Sequence, residues 1–182
     1  MNPTIQPARG AANAAPTMET RPKIIIAPTP GDSQRELLAW GLLAFLWALA
    51  TWSYFQIPDT VPVHYNFAGQ PDRYGEKAGV LHLPMVATVL FVAMTALGRF
   101  PHVLNYPSAI TAANAPGKYR SAVRLLQGLK TVIVLVFLFL VFRTYQTATE
   151  QASGLGGWFL PVALGFVLLL VLWYLVRDKS AS

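Results

Sequence analysis

Four apolar runs constrain this chain more than any other feature of its sequence. Each run is 18 or 19 residues long, close to the length of about 20 residues that a helix needs to cross a bilayer. The runs are Leu37–Phe55, Val80–Leu97, Leu125–Phe142 and Trp158–Val176. Helices of a soluble bundle show a polar face, and these runs show none. The sequence therefore predicts an all-α integral membrane protein with a four-transmembrane-helix bundle.

The composition agrees with a membrane protein and excludes several kinds of site. The chain is 54% hydrophobic and 12% charged, about half the charged share of a typical soluble domain. It contains no cysteine, which excludes disulfides, thiolate nucleophiles and thiolate metal sites. No established catalytic motif occurs. We therefore assign no catalytic residue and no cofactor, and we expect a protein that is not an enzyme.

The composition also predicts where the membrane domain begins and ends. We expect a disordered cytoplasmic tail over residues 1–35, a four-helix membrane domain over residues 36–177, and a cytoplasmic tail over residues 178–182. The first run resembles a signal peptide, with Ala48–Ala50 in the place of a cleavage site. Because the apolar run continues through Trp52–Phe55, an uncleaved anchor is favoured.

The basic residues predict the orientation. Eleven of the 14 lysines and arginines flank one side of the four runs, and lysine and arginine are enriched in cytoplasmic connections. Both termini are therefore expected on the cytoplasmic side of a bacterial cytoplasmic (inner) membrane. This placement assigns the net charge of +6 to the membrane flanks, so we expect the lipid bilayer as a partner and no nucleic acid.

The polar connection between the first two runs is the predicted ligand-binding region. Residues 63–75 read VHYNFAGQPDRYG, a short strand-like pattern followed by turn residues. The candidate ligand-binding residues of this outer loop are His64, Asn66, Asp72 and Arg73. His64 and His82, with nearby acids, form an alternative metal site, but their spacing matches no established motif and we assign no metal. In the plainest alternative, His64 bonds the loop backbone.

Two further patterns concern helix contacts. The candidate residues for lipid or partner contact on the cytoplasmic side are Lys118, Arg120, Arg124 and Lys130. Anchoring by anionic lipid is favoured over docking of a soluble partner, because every inside-facing loop is expected to be basic. Small residues form a stripe along the first run at Gly41, Ala44, Ala48 and Thr51. Such a stripe favours close packing of helices within the chain.

One ordered set of residues resembles a known family. The set is Pro58-Asp59-x-x-Pro62-x-His64-x-Asn66-x-x-Gly69-x-Pro71-Asp72-Arg73-Tyr74-Gly75-x-Lys77, followed by Leu83-Pro84. It resembles the bacterial membrane family known as domain of unknown function 1648, over about residues 37–142. That domain forms the N-terminal half of SdpI-type immunity proteins. The resemblance implies a non-enzymatic receptor, immunity-like or signalling protein that meets a peptide, an envelope component or a membrane protein partner.

Two other functions remain open at this point. The chain is an accessory subunit of a transporter or envelope enzyme complex if its helices are its contact surfaces. It is a metal-dependent membrane enzyme if His64, His82 and nearby acids converge.

The predicted orientation is testable with reporter fusions. Alkaline phosphatase fused after Gln70 should be active, and green fluorescent protein fused at the same position should not fluoresce, because residues 63–75 are expected outside the cytoplasm. A fusion after Ser182 should give the opposite pair of signals. Cytosolic fluorescence from the Gln70 fusion would contradict the predicted orientation.

Overall fold

The computed structural model describes residues 21–180, with side chains through residue 176, and it contains four long helices. They are α1 (Pro30–Gln56), α2 (Gly79–Leu97), α3 (Ala115–Ala148) and α4 (Phe159–Ser180). All four are long and apolar enough to cross a membrane. The predicted all-α, four-span architecture is confirmed, and the protein is a multi-pass membrane protein.

The loop between α1 and α2, predicted above as the outer loop, is a two-stranded antiparallel hairpin. Its strands are β1 (Thr60–Tyr65) and β2 (Pro71–Glu76), with Pro62 opposite Tyr74. Pro58 explains why α1 ends at Gln56, since a proline disfavours helix in the residue before it, here the extended Ile57. The turn depends on Gly69, whose φ of +74° is a conformation that glycine adopts without strain.

The predicted tails need a correction where the structure describes them. Thr29 caps α1 in a capping box with Asp32, so residues 30–35 are helical and do not belong to a tail. Residues 21–29, here called the N-terminal segment, pack against α3, where the Tyr119 hydroxyl donates to the Pro22 carbonyl at 3.1 Å. At the other end, α4 continues to Ser180. The rest of the two predicted tails, residues 1–20 and 181–182, lies outside the described residues.

α3 is the central helix, and it contacts α1, α2 and α4. The buried face of α1 follows helical spacing, with residues i, i+4, i+7 and i+11 on one side. Its members are Ala39, Leu43, Leu46 and Ala50. They pack with Ala87 and Phe91 of α2 and with Val134 and Val141 of α3. The predicted small-residue stripe is not part of this buried face. Its residues Gly41, Ala44, Ala48 and Thr51 are all exposed.

A cluster of charged and polar side chains joins the start of α1 to α3. We call it the polar joint, and its members are Asp32 and Glu36 of α1, Thr95 of α2, and Arg124, Gln127 and Lys130 of α3. Arg124 Nε donates to Asp32 Oδ1 at 2.7 Å. Lys130 Nζ donates to the Glu36 carboxylate at 2.5 and 2.6 Å and to the Thr95 hydroxyl at 3.0 Å.

The spacing of the polar joint matches two helix faces. Asp32 and Glu36 are four residues apart, and Arg124, Gln127 and Lys130 are three apart in turn, so each set lies on one side of its helix. Gln127 Nε2 donates to the Asp32 carbonyl at 3.3 Å, between the two ion pairs. The joint therefore specifies how α1 and α3 align.

We predict that Glu36→Gln and Lys130→Met each destabilise the protein by about 2–3 kcal/mol, because each leaves the other charge without its partner. The value is below the roughly 3–5 kcal/mol for a fully buried pair, since the Glu36 side chain is 30% exposed. Unfolding in detergent micelles, titrated with sodium dodecyl sulfate, measures the change.

The double variant is the diagnostic. Its loss in the free energy of unfolding should be smaller than the sum of the losses in the two single variants, because it removes both charges together. Arg35→Met is the matched control: Arg35 pairs with Asp32, but its side chain is 54% exposed, so its loss should stay below about 1 kcal/mol. Additive losses at Glu36 and Lys130 would contradict the interaction.

Candidate functional site

The hairpin packs against the α3–α4 loop at a contact between glycines. We call the hairpin (residues 57–78) and this loop (residues 149–158) together the hairpin end. Leu155 N–H donates to the Gly69 carbonyl at 2.7 Å. A Cβ on Gly69 would lie 2.6 Å from the Gly156 carbonyl oxygen, so only glycine permits this approach. Arg143 of α3 donates to the Gly154 carbonyl and so connects the loop to α3.

Two further contacts tie the hairpin to the helices. The Tyr65 and Thr144 hydroxyls lie 3.1 Å apart and share a hydrogen bond. Burial raises the pKa of Tyr65, so its phenol stays neutral at physiological pH. At the base of the hairpin, Lys77 Nζ lies 2.8 Å from Asp59 Oδ1. The hydrogen bond with Lys77 lowers the pKa of Asp59, which keeps this exposed pair ionised.

His64 and Asp72 form a pair across the two strands. His64 Nδ1 lies 2.6 Å from Asp72 Oδ1, and both side chains are about half exposed. The strand register shifts on both sides of His64, and such irregularities re-aim side chains. This explains why His64 faces Asp72 although Arg73 is its nominal partner in the register. The structure thus brings two of the four predicted ligand-binding residues into contact.

The other two predicted residues have different positions. The Asn66 side chain accepts from the Ala68 and Gln70 N–H groups at 2.9 and 3.1 Å, so it builds the turn as well as lining the site. Arg73 is exposed, and it lines neither of the two clefts beside the hairpin.

A cleft of about 440 Å³ lies between the hairpin and the start of α4. Its rim carries His64, Asn66 and Asp72, while Phe159 and Leu160 contribute apolar surface. A smaller cleft of about 250 Å³ lies on the α2 and α3 side, and His64, Tyr65 and Leu155 line both. Phe67, at the hairpin tip, lines the larger cleft and is 91% exposed. The site combines an apolar surface with a polar rim, the usual pattern of a binding pocket.

The proposed metal ligands, His64 and His82, do not belong to a group of three or more metal-ligating side chains among the described residues. His82 is exposed in the first turns of α2. In the part of the chain that the structure describes, no three or more His, Asp or Glu side chains gather in a group that could hold a metal ion. His64 is instead paired with Asp72, and the alternative in which it bonds the loop backbone has no geometric support here.

The predicted lipid-contact residues at the start of α3 need a correction. Lys118 and Lys130 are each only 2% exposed. Lys130 pairs with Glu36, and its ammonium lies 4.5 Å from the centre of the Phe91 ring; Lys118 donates to the Ser108 hydroxyl. Arg124 binds Asp32, and Arg120 is partly buried. The two lysines therefore do not lie on the outer surface of the bundle, because this face of α3 turns toward its own chain.

The sequence did not identify the α3–α4 loop as part of the site. Gly154, Leu155 and Gly156 come from a region about 80 residues after the hairpin. The available signal was the cluster of glycines at 154, 156 and 157 on the same predicted side of the membrane as the hairpin. Glycine clusters mark turns and close backbone approaches.

Comparison with known proteins finds a family for part of the chain. Residues 41–88, from the middle of α1 to the first half of α2, match the family described as Domain of unknown function (DUF1648). The predicted resemblance is confirmed over these residues. The match includes the hairpin with His64, Asn66, Asp72 and Arg73, so the candidate site lies largely within it.

A curated relative matches a larger part of the chain. It is an uncharacterized protein of Archaeoglobus fulgidus, 35% identical over 94 residues. The match covers 46% of this chain and 51% of the relative, so the chain spans about half the length of the relative it matches. No solved structure matches this chain.

We predict that Gly69→Ala separates the hairpin tip from the α3–α4 loop, because the new methyl group would collide with the Gly156 backbone. Amide hydrogen exchange at Leu155 should accelerate about tenfold or more, since losing about 1.4 kcal/mol of local stability gives a factor of ten. Gly41→Ala is the matched control, because a Cβ on Gly41 meets nothing within 4 Å. Unchanged exchange at Leu155 in Gly69→Ala would contradict the close contact.

Proposed function

We propose that this protein is a non-enzymatic membrane receptor, of an immunity-like or signalling kind, that binds a peptide at its hairpin end. The observation that carries the proposal is the cleft of about 440 Å³, with the His64–Asp72 pair on its rim. The resemblance to SdpI-type immunity proteins supports the same class of function.

The chemistry of the cleft suits a short extended peptide. Phe159 and Leu160 offer surface for an apolar side chain, and the Asp72 carboxylate and His64 imidazole offer polar partners for a backbone amide. The volume lies in the range of about 300–1,000 Å³ that small ligands occupy. Among the described residues β2 pairs only with β1, so an extended peptide can add as a further strand at the other edge of β2.

We place the protein, as part of the same proposal, in a bacterial cytoplasmic membrane with both termini inside. Support comes from the charges at the end of the bundle opposite the hairpin, here called the basic end. It comprises the N-terminal segment, the α2–α3 connection (residues 98–114) and the start of α3 up to Lys130. This orientation leaves the hairpin cleft open to peptides outside the cytoplasm.

A second candidate is an accessory subunit of a transporter or envelope enzyme complex. It is favoured by α4, of which only 6% of the membrane-crossing window is buried, against 22–28% for the other three helices. α4 therefore presents apolar surface to lipid or to a partner helix. A stoichiometric membrane protein that co-purifies in mild detergent would favour this candidate over the receptor.

We predict that Asp72→Ala and His64→Ala weaken peptide binding by about tenfold or more, because rim contacts that become desolvated contribute at least about 1.4 kcal/mol. The measurement is selection of a displayed peptide library on the purified protein in nanodiscs, followed by titration of the enriched peptides. Membrane insertion of each variant is checked alongside.

Glu76→Ala is the matched control. Glu76 is an exposed acid on the same strand as Asp72, but it lines neither cleft, so binding should be unchanged. Equal binding by wild type, Asp72→Ala and His64→Ala would contradict the receptor proposal. A selection in which no peptide is enriched would also contradict it.

A further inference from the structure

The basic end contains a second cavity, of about 490 Å³. Its walls come from the N-terminal segment, α1, α2 and α3. Ile26, Trp40, Met94 and Leu126 line its apolar part, and Arg99 and Gln127 contribute polar groups. The hairpin is on the opposite end of the bundle, so this cavity is independent of the peptide cleft.

The charges around this cavity favour an anion. Lys130 and Glu36 both line the cavity and pair with each other. Arg35 and Arg124 share the Asp32 carboxylate, and these three residues are not part of the lining. Arg99 adds a further cation on the cavity wall, and among the described side chains it has no ion-pair partner. Of the three charged residues that line the cavity, Lys130 and Glu36 thus pair with each other, which leaves the positive charge of Arg99 for a ligand.

Gln127 adds a requirement for a hydrogen-bond donor. Its Nε2 donates to the Asp32 carbonyl and to Glu36 Oε2, at 3.3 and 3.4 Å. Its Oε1 is buried and accepts no hydrogen bond from any described residue. Buried acceptors are nearly always paired, and Gln127 is one of the residues that line the cavity. A ligand hydroxyl or amine would satisfy it.

The position of the cavity indicates the source of the ligand. Arg99 is the second residue after the end of α2, and Glu36 and Trp40 lie in the first three turns of α1. Arginine and tryptophan at the ends of membrane helices lie at the level of the lipid headgroups. The apolar walls at Trp40, Met94 and Leu126 continue from the polar groups, as the chains of a lipid continue from its headgroup.

We infer that this cavity binds a phospholipid of the surrounding leaflet, with an anionic headgroup that also carries a hydroxyl. The phosphate lies against Arg99, and the hydroxyl donates to Gln127 Oε1. The site differs from a general attraction between basic residues and the membrane, since it requires both charge and a donor.

Four lipids with identical acyl chains separate the two requirements. Phosphatidylglycerol has both the anionic charge and a hydroxyl, whereas phosphatidylmethanol has the charge but no donor. Phosphatidylethanolamine has a donor but no net charge, and phosphatidylcholine has neither. Native mass spectrometry of the delipidated, full-length protein measures binding of each. Phosphatidylglycerol should bind about tenfold tighter than phosphatidylcholine, with the other two between them.

Two variants connect each requirement to its residue. Arg99→Gln should remove the preference for phosphatidylglycerol over phosphatidylethanolamine. Gln127→Leu should remove the preference for phosphatidylglycerol over phosphatidylmethanol and keep the preference for anions. If Gln127→Leu does not fold, Arg99→Gln and the four-lipid comparison decide the proposal.

Matched controls and the contrary outcomes complete the test. Lys23→Gln and Gln34→Leu change exposed residues at the same end that do not line the cavity, so they should preserve both preferences. Equal binding of all four lipids would overturn the proposal, as would equal losses in Arg99→Gln and Lys23→Gln. Displacement of the lipid by an equal concentration of free glycerol phosphate would overturn a lipid source in favour of a soluble anion.

Discussion

The polar joint between α1 and α3 is the interaction on which the rest of this structure depends. In a bilayer, apolar helices gain little by leaving lipid for one another, so packing and polar contacts decide how they associate. Glu36 and Lys130 find their partners in each other, since the Glu36 carboxylate and the Lys130 ammonium lie 2.5 Å apart. Rotating α3 by one residue, about 100°, would remove Lys130 and Arg124 from their carboxylates together. The joint therefore selects one alignment of α1 and α3 among many with similar apolar contact.

The alignment at the basic end also positions the hairpin site. α3 is continuous over 34 residues, a length of about 50 Å at 1.5 Å per residue. Its first half carries the cations of the joint, and its second half carries Arg143 and Thr144, which bond to Gly154 and Tyr65. A continuous helix transmits its rotation from one end to the other. The cleft beside His64 and Asp72 therefore has its shape because the joint, at the opposite end, has fixed the rotation of α3.

Features encoded locally were predictable, and features formed by distant residues were not. The apolar runs and the turn at Gly69 each depend on neighbouring residues, and they were predicted correctly. The rule that lysine and arginine mark the cytoplasmic side treats each as an isolated charge. It therefore missed that Lys130 meets a carboxylate 94 positions earlier in the chain. Likewise, the small side chains predicted that the stripe containing Gly41 is the packed face of α1. The buried face is instead centred on Leu43 and Leu46, because the joint sets the rotation of α1 about its axis.

The distribution of buried and exposed polar groups supports recognition at the hairpin end. Acid–base catalysis gains most where water is excluded and electrostatic interactions are strong. Among the described residues, the buried Asp32 and Lys130 are paired within the joint and the buried Lys118 donates to Ser108, whereas His64 and Asp72 are about half exposed. A half-exposed pair beside an apolar wall gains strength when a ligand covers it and removes its water, which is how binding hot spots arise. In the proposed receptor the pair stabilises the complex, because contact with the ligand provides the low-dielectric surroundings that the free protein lacks.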